Sequence, residues 1–211
     1  MGATKCIFFD LDGTLTDSEP GLTESFSYIF HKYRKCVDGI DLRYFMGPPL
    51  ELSLAPYFDT HEQLAAVIKD FREHYSKRIL TGNALYDGIV EMLDALKSDG
   101  YILSVVTGKT EDSAKAVVEH FNIDKYLDGV YGTHYRQTEK IETLLEALSK
   151  HNCHPDQAVM VGDRMFDLQA AMLGKTGGIG VLWGYGAREE LEKYDNLFLA
   201  STPAEIVEYF A

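Results

Sequence analysis

The sequence predicts an α/β protein: an open, mainly parallel sheet flanked by helices, interrupted near its start by an inserted helical domain. Three observations lead there. Short apolar runs rich in β-branched and aromatic residues end in polar, reactive residues, as in "CIFFD" closing on Asp10, "YILSVVT" on Thr107 and "AVMVGD" on Asp163. Such runs read as strands buried on both faces, the pattern of a parallel sheet. Amphipathic stretches alternate with them, which calls for right-handed strand–helix–strand crossovers. A long segment without any strand-like run separates the first strand from the rest.

Taken in order, the run from Cys6 supplies the first strand. From about Thr16 to Leu80 the periodicity is helical. Leu22, Phe26, Ile29, Phe30 and Tyr33 mark one face, and Leu64, Val67, Ile68, Phe71, Tyr75 and Ile79 mark another. This is too much chain for an ordinary strand-to-helix loop. The predicted division is therefore an α/β core of residues 1–15 and 81–211, with a helical cap of residues 16–80 over the sheet's carboxyl edge. Ile89, Met92, Leu93 and Leu96 keep the i, i+3, i+4, i+7 spacing of a half-buried helix, and so do Ile141, Leu144, Leu145 and Leu148. "GVYGT" from Gly129 and "GGIGVLWG" from Gly177 read as further strands.

Composition narrows the partners. The 211 residues carry a formal net charge of −13 with no Lys/Arg-rich run, so no nucleic-acid partner is expected. A small anionic ligand is still compatible, because a metal ion reverses the sign inside a cleft. The three cysteines, Cys6, Cys36 and Cys153, are widely spaced and form no C-x-x-C, which points to reduced thiols in a cytoplasmic protein. No apolar run is long enough to span a bilayer. The first residues lack an apolar signal core, and Cys6 stands where a myristoylation signal wants Ser or Thr.

The chemistry is concentrated where the first strand ends, in Asp10-Leu11-Asp12-Gly13-Thr14. An acidic Asp-Gly turn is the bland reading. A calcium loop fails on spacing, since Gly13 and Glu19 stand too early for the glycine and the bidentate glutamate of such a loop and a strand precedes them. In a strand, alternate residues share a face, which directs Asp10 and Asp12 into one site as the strand ends, and Gly13 permits a sharp turn. Ligand sites of open α/β sheets lie beyond the strands' carboxyl ends. The other two strands deliver Thr107-Gly108-Lys109 and Gly162-Asp163 to that edge.

"DLDGT" at Asp10, "VVTGK" ending in Thr107-Gly108-Lys109, Lys140 in "RQTEK" and "GDRMFD" from Gly162 to Asp167 together resemble the four ordered motifs of the haloacid dehalogenase-like phosphohydrolases. Core and cap cover nearly the whole chain. It looks most like the phosphoglycolate phosphatase-like branch with its small helical cap, and "GVLWGYG" from Gly180 and "FMGPPLELSL" from Phe45 are similar to segments of that branch. The resemblance implies a Rossmann-like core and a Mg²⁺-dependent phosphatase, monomeric or homodimeric, acting on a small phosphorylated metabolite such as phosphoglycolate or a nucleoside monophosphate. It implies Asp10 as nucleophile and, with Asp163, a carboxylate ligand of Mg²⁺. Asp12 is implied as general acid–base and as a metal ligand through its main-chain carbonyl. Thr107 and Gly108 would bind phosphate oxygens at the start of the next helix. Lys140, preferred to neighbouring Lys109 on motif order, would set a fixed charge on nucleophile and phosphate, with Asp167 orienting Lys140 or metal-bound water. A phosphomutase of the same architecture or a catalytically silent binding module are the alternatives. A true dehalogenase is disfavoured because that group generally lacks a carboxylate at the Asp12 position. Arg43, Lys32 and Arg34 in the cap are candidates to meet a substrate carboxylate, with solvated surface cations as the default.

Overall fold

The computed structural model describes residues 4–133 and 139–211. Residues 1–3, read above for a lipidation signal, and residues 134–138, which include the Arg136-Gln137-Thr138 quoted with Lys140, lie outside the described residues. The strands are β1 (Cys6–Phe9), β2 (Thr16–Asp17), β3 (Ala84–Leu85), β4 (Ile102–Thr110), β5 (Gly129–Thr133), β6 (Ala158–Gly162), β7 (Gly177–Val181) and β8 (Phe198–Ala200). The α-helices are α1 (Glu19–Lys32), α2 (Leu50–Leu54), α3 (His61–Ser76), α4 (Ile89–Ser98), α5 (Glu111–His120), α6 (Lys140–Lys150), α7 (Met165–Gly174), α8 (Arg188–Leu191) and α9 (Pro203–Phe210). The chain divides into two compact units. One combines the chain up to Asp17 with Leu85–Ala211, and the other is Ser18–Ala84.

The first unit holds a six-stranded sheet in the order β5-β4-β1-β6-β7-β8, and every pairing in it is parallel. Strand β1 lies between β4 and β6, with Phe9 level with both Val105 and Val161. The carboxyl ends of these three strands therefore deliver their next residues at one height. Cys6 and Phe8 pack against Leu144, Leu148, Ala170 and Ala171 of α6 and α7, and alternation along the strand turns Ile7 and Phe9 to the opposite face. Ile89, Met92, Leu93 and Leu96 are all buried on α4, as their spacing predicts. Helix α6 departs from expectation at one position: Leu145 is half exposed, and the buried stripe runs through Thr143, Leu144, Ala147 and Leu148. That rotation turns the side of the helix carrying Lys140 inward.

In the second unit α1 and α3 meet through aromatic rings. The Phe26 ring lies tilted at 4.5 Å from Phe71 and 5.3 Å from Phe45, and Phe30 packs on Phe45 and Phe58. Thr60 caps α3 by accepting the Gln63 amide. Ile79 falls beyond the end of α3 but is buried. Two of the cations considered for substrate are engaged locally: Arg43 forks onto Asp41 at 2.7 Å, and Lys32 lies 2.7 Å from Asp70. Among the described residues no helix is long and apolar enough to cross a membrane.

Candidate active site

The site is assembled where β1 gives way to a tight loop. The Asp10 amide donates to the Val161 carbonyl at 2.9 Å, carrying the ladder one residue past β1. The chain then folds back, with the amides of Thr14, Leu15 and Thr16 all converging on the Leu11 carbonyl. Gly13 has a positive φ of 84°, and a Cβ built there would lie 2.3 Å from Asp163 Oδ2, so turn and close approach both require glycine. Alternation therefore stops at Phe9, and the two carboxylates of the opening motif turn to different partners. Asp10 meets Lys140, and Asp12 meets Lys109.

Lys140 opens α6 and places its Nζ 2.9 Å from Asp10 Oδ1 and 2.5 Å from Asp167 Oδ1, with both carboxylates buried and the lysine side chain 12% exposed. The other Asp167 oxygen accepts the Arg164 amide at 2.9 Å. Asp163 accepts the Tyr185 amide at 2.8 Å and the Thr14 hydroxyl at 3.3 Å. Oxygens of Asp10, Asp163 and Asp167 all lie within 4.8 Å of one another. Burial pushes the Asp10 carboxyl up to about 6, with Asp167 and Asp12 adding to the rise and Lys140 opposing it. Burial likewise holds Asp163 well above the ordinary carboxylate range. Burial alone would lower Lys140, but Asp10 and Asp167 more than offset it, so its ammonium is held more firmly than in water.

The loop after β7 closes around Asp163. Trp183 Nε1 donates to the Thr14 carbonyl at 2.9 Å. A Cβ on Gly184 would lie 2.2 Å from the Gly13 carbonyl oxygen, and one on Gly186 would lie 1.9 Å from the Asp163 carbonyl oxygen. Glu190 accepts the Met165 amide at 2.8 Å and Arg164 Nε at 2.9 Å, which ties down the first turn of α7 just ahead of Asp167. Neither Trp183 nor Glu190 is marked as part of the site by the residues around it in the sequence. The alternating glycines of "WGYG" were the available sign that backbone approaches a neighbour closely there.

Thr107 is buried, and its hydroxyl oxygen accepts the Lys109 amide at 3.2 Å. Gly108 faces open space, with no atom within 4 Å of a Cβ built on it. It does not begin a helix as expected. Strand β4 continues to Thr110 through a register shift against β5, and α5 starts only at Glu111.

Three buried carboxylates against one buried ammonium leave uncompensated negative charge where the dielectric is low, and every donor is a hard oxygen. The residues present fit a Mg²⁺ ion. The Asp12 carboxylate is not in this cluster; the contact expected of Asp12 was through its main-chain carbonyl.

A parallel sheet with such a charged cluster beyond its central strands has the layout of an α/β enzyme, with its site at the carboxyl ends of the strands. The chain belongs to the haloacid dehalogenase-like hydrolases, whose family model matches residues 7–181, and as an enzyme it is a phosphatase of that family. It is 33% identical over 197 residues to a "5'-nucleotidase" of Pseudomonas aeruginosa, with 89% of this chain and 87% of that protein covered. It is 34% identical over 192 residues to the "Tyrosine-protein kinase PtkA" of Mycobacterium tuberculosis, covering 90% of this chain and 66% of that one. Among solved structures, the haloacid dehalogenase-like family protein SP0104 of Streptococcus pneumoniae superimposes with a TM-score of 0.93 at 32% identity, over the full length of both chains.

Proposed function

We propose that this enzyme is a Mg²⁺-dependent phosphatase that hydrolyses a small phosphate monoester through an aspartyl phosphate on Asp10. The observation that supports it most is the Lys140 ammonium held between Asp10 and Asp167, with Asp163 beside them. In this proposal Asp10, Asp163 and the Asp12 carbonyl hold the Mg²⁺, which when bound supplies positive charge to the phosphate oxygens. Lys140 aims the Asp10 carboxylate at phosphorus, and Asp167 keeps Lys140 in place. Thr107 and Gly108 receive the phosphate. As the Asp10 oxygen bonds to phosphorus, the bond to the leaving oxygen breaks and Asp12 gives that oxygen a proton. Water then attacks the same phosphorus, Asp12 takes its proton, and the Asp10 carboxylate is released.

A nucleoside monophosphate or a phosphoglycolate-like acid is the substrate class, and the relative named "5'-nucleotidase" supports the first. We assign the choice of leaving group to the helical unit. The test is a Mg²⁺-supplemented panel of nucleoside monophosphates, phosphoglycolate, sugar phosphates and pyrophosphate, ranked by kcat/KM. Hydrolysis should stop in EDTA and return with Mg²⁺. Full activity in chelator would overturn the metal role, and inertness towards the whole panel would overturn the phosphatase.

A further inference from the structure

We propose that Lys109 is a positioning residue for Asp12, clamping one carboxylate oxygen so that the other faces the oxygen that exchanges a proton during turnover. The inference rests on the acid–base role given to Asp12 above. Lys109 Nζ lies 2.7 Å from Asp12 Oδ2, in a pair whose side chains are 8% and 22% exposed. The second oxygen, Asp12 Oδ1, is buried and has no hydrogen-bond partner. A buried carboxylate oxygen without a donor is costly and calls for a partner that arrives later. The leaving oxygen of the substrate and then the attacking water are two such partners.

The strand end carrying Lys109 is well fixed. Its amide donates to Thr107 Oγ1 at 3.2 Å, and the Thr133 hydroxyl donates to its carbonyl at 3.4 Å. A Cβ on Gly132 would lie 2.6 Å from the same carbonyl oxygen, so β5 abuts this segment with no space to spare. The lysine stem thus starts from a rigid anchor and reaches Asp12 Oδ2. Lys140, by contrast, serves Asp10 and Asp167. The two lysines divide the labour, one aiming the nucleophile and the other the proton carrier. In the first half-reaction the proton on Asp12 Oδ1 passes to the leaving oxygen as its bond to phosphorus breaks. In the second, a water proton returns to Oδ1 as water oxygen bonds to phosphorus and the electron pair of the Asp10–phosphorus bond goes back to the carboxylate.

A leaving group that departs without a proton does not need this alignment in the first half-reaction, which kcat/KM reports, and that supplies the test. Wild type, Asp12→Asn, Lys109→Met and Lys109→Arg are compared on p-nitrophenyl phosphate and on an alkyl phosphate. Positioned acid–base catalysis contributes about 10²–10⁴-fold, so Lys109→Met should lose about tenfold to a hundredfold in kcat/KM on the alkyl ester and less than about threefold in kcat/KM on the aryl ester. Lys109→Arg should restore much of the alkyl activity. The aryl turnover also reports that each variant is folded. Equal losses in kcat/KM on both esters would overturn the inference by making Lys109 a phosphate contact. If Asp12→Asn itself shows no dependence on leaving group, the acid–base assignment fails instead.

Discussion

The two units of this protein handle charge in opposite ways. The α/β unit buries Asp10, Asp163 and Asp167 close together, with the largely enclosed Lys140 paired to Asp10 and Asp167. The helical unit keeps its ion pairs at the surface, as in Arg43 with Asp41 and Arg72 with Glu51, where both partners are about half exposed. Exposed pairs contribute little, while buried charges cost stability unless geometry and function justify them. The contrast teaches where to look for chemistry: a fold tolerates three buried carboxylates around one lysine only where the site is put to use.

That comparison can be broken most directly at Asp10. Asp10→Asn should lower turnover by about 10⁴-fold or more while the circular dichroism spectrum stays native, since the proposed covalent step would have no substitute nucleophile. Substantial residual activity would remove Asp10 from the centre of the site. Lys140→Met strands the carboxylates without their cation. It should destabilise the metal-free chain by about 3–5 kcal/mol in urea denaturation at pH 7, besides abolishing activity. A cost near zero would show that the cluster is not held by this ion pair.

The pH dependence sharpens the contrast. The Asp10 carboxyl sits at about 6 in the folded chain against an ordinary 3.8, so the folded state binds this proton more tightly than the unfolded one. Stability from Asp10 is then fully present below the ordinary value and lost as pH rises through the folded one. In EDTA, wild type should lose urea resistance relative to Asp10→Asn between about pH 4 and pH 6, and the gap should stay constant above that range. Parallel curves would contradict the burial account. The smallest effect belongs to the helical unit, where Arg72→Ala should change stability by less than about 0.5 kcal/mol.

The sheet was legible because its strands are continuous apolar runs that stop at reactive residues. β1, β4 and β6 announce themselves that way, and β5 and β7 more faintly. β8, three residues at an edge, carries no period long enough to read. The two-residue strands β2 and β3 are equally silent. Within the site, Asp10, Thr107, Lys140, Asp163 and Asp167 stand out as polar residues at strand or helix ends. The different lysine partners of Asp10 and Asp12 did not show, because they depend on amides folding back to the Leu11 carbonyl, and strand alternation says nothing about a loop. Trp183, Tyr185 and Glu190 reach the site from about twenty residues beyond Asp163, through main-chain groups or a long side chain, and local pattern carries no sign of such contacts. Lys109 and Lys140 looked like rivals for one place, and the structure gives each its own carboxylate.

The glycines around Asp163 have a further consequence, for how this enzyme meets random mutation. Gly13, Gly184 and Gly186 bear no functional group, yet an added methyl at each would overlap Asp163 or the loop beside it. In a saturation library scored by activity alone, these positions should look as intolerant as Asp10. The vulnerable area of the enzyme is therefore wider than its reactive side chains, and its outline is drawn by atoms that are left out.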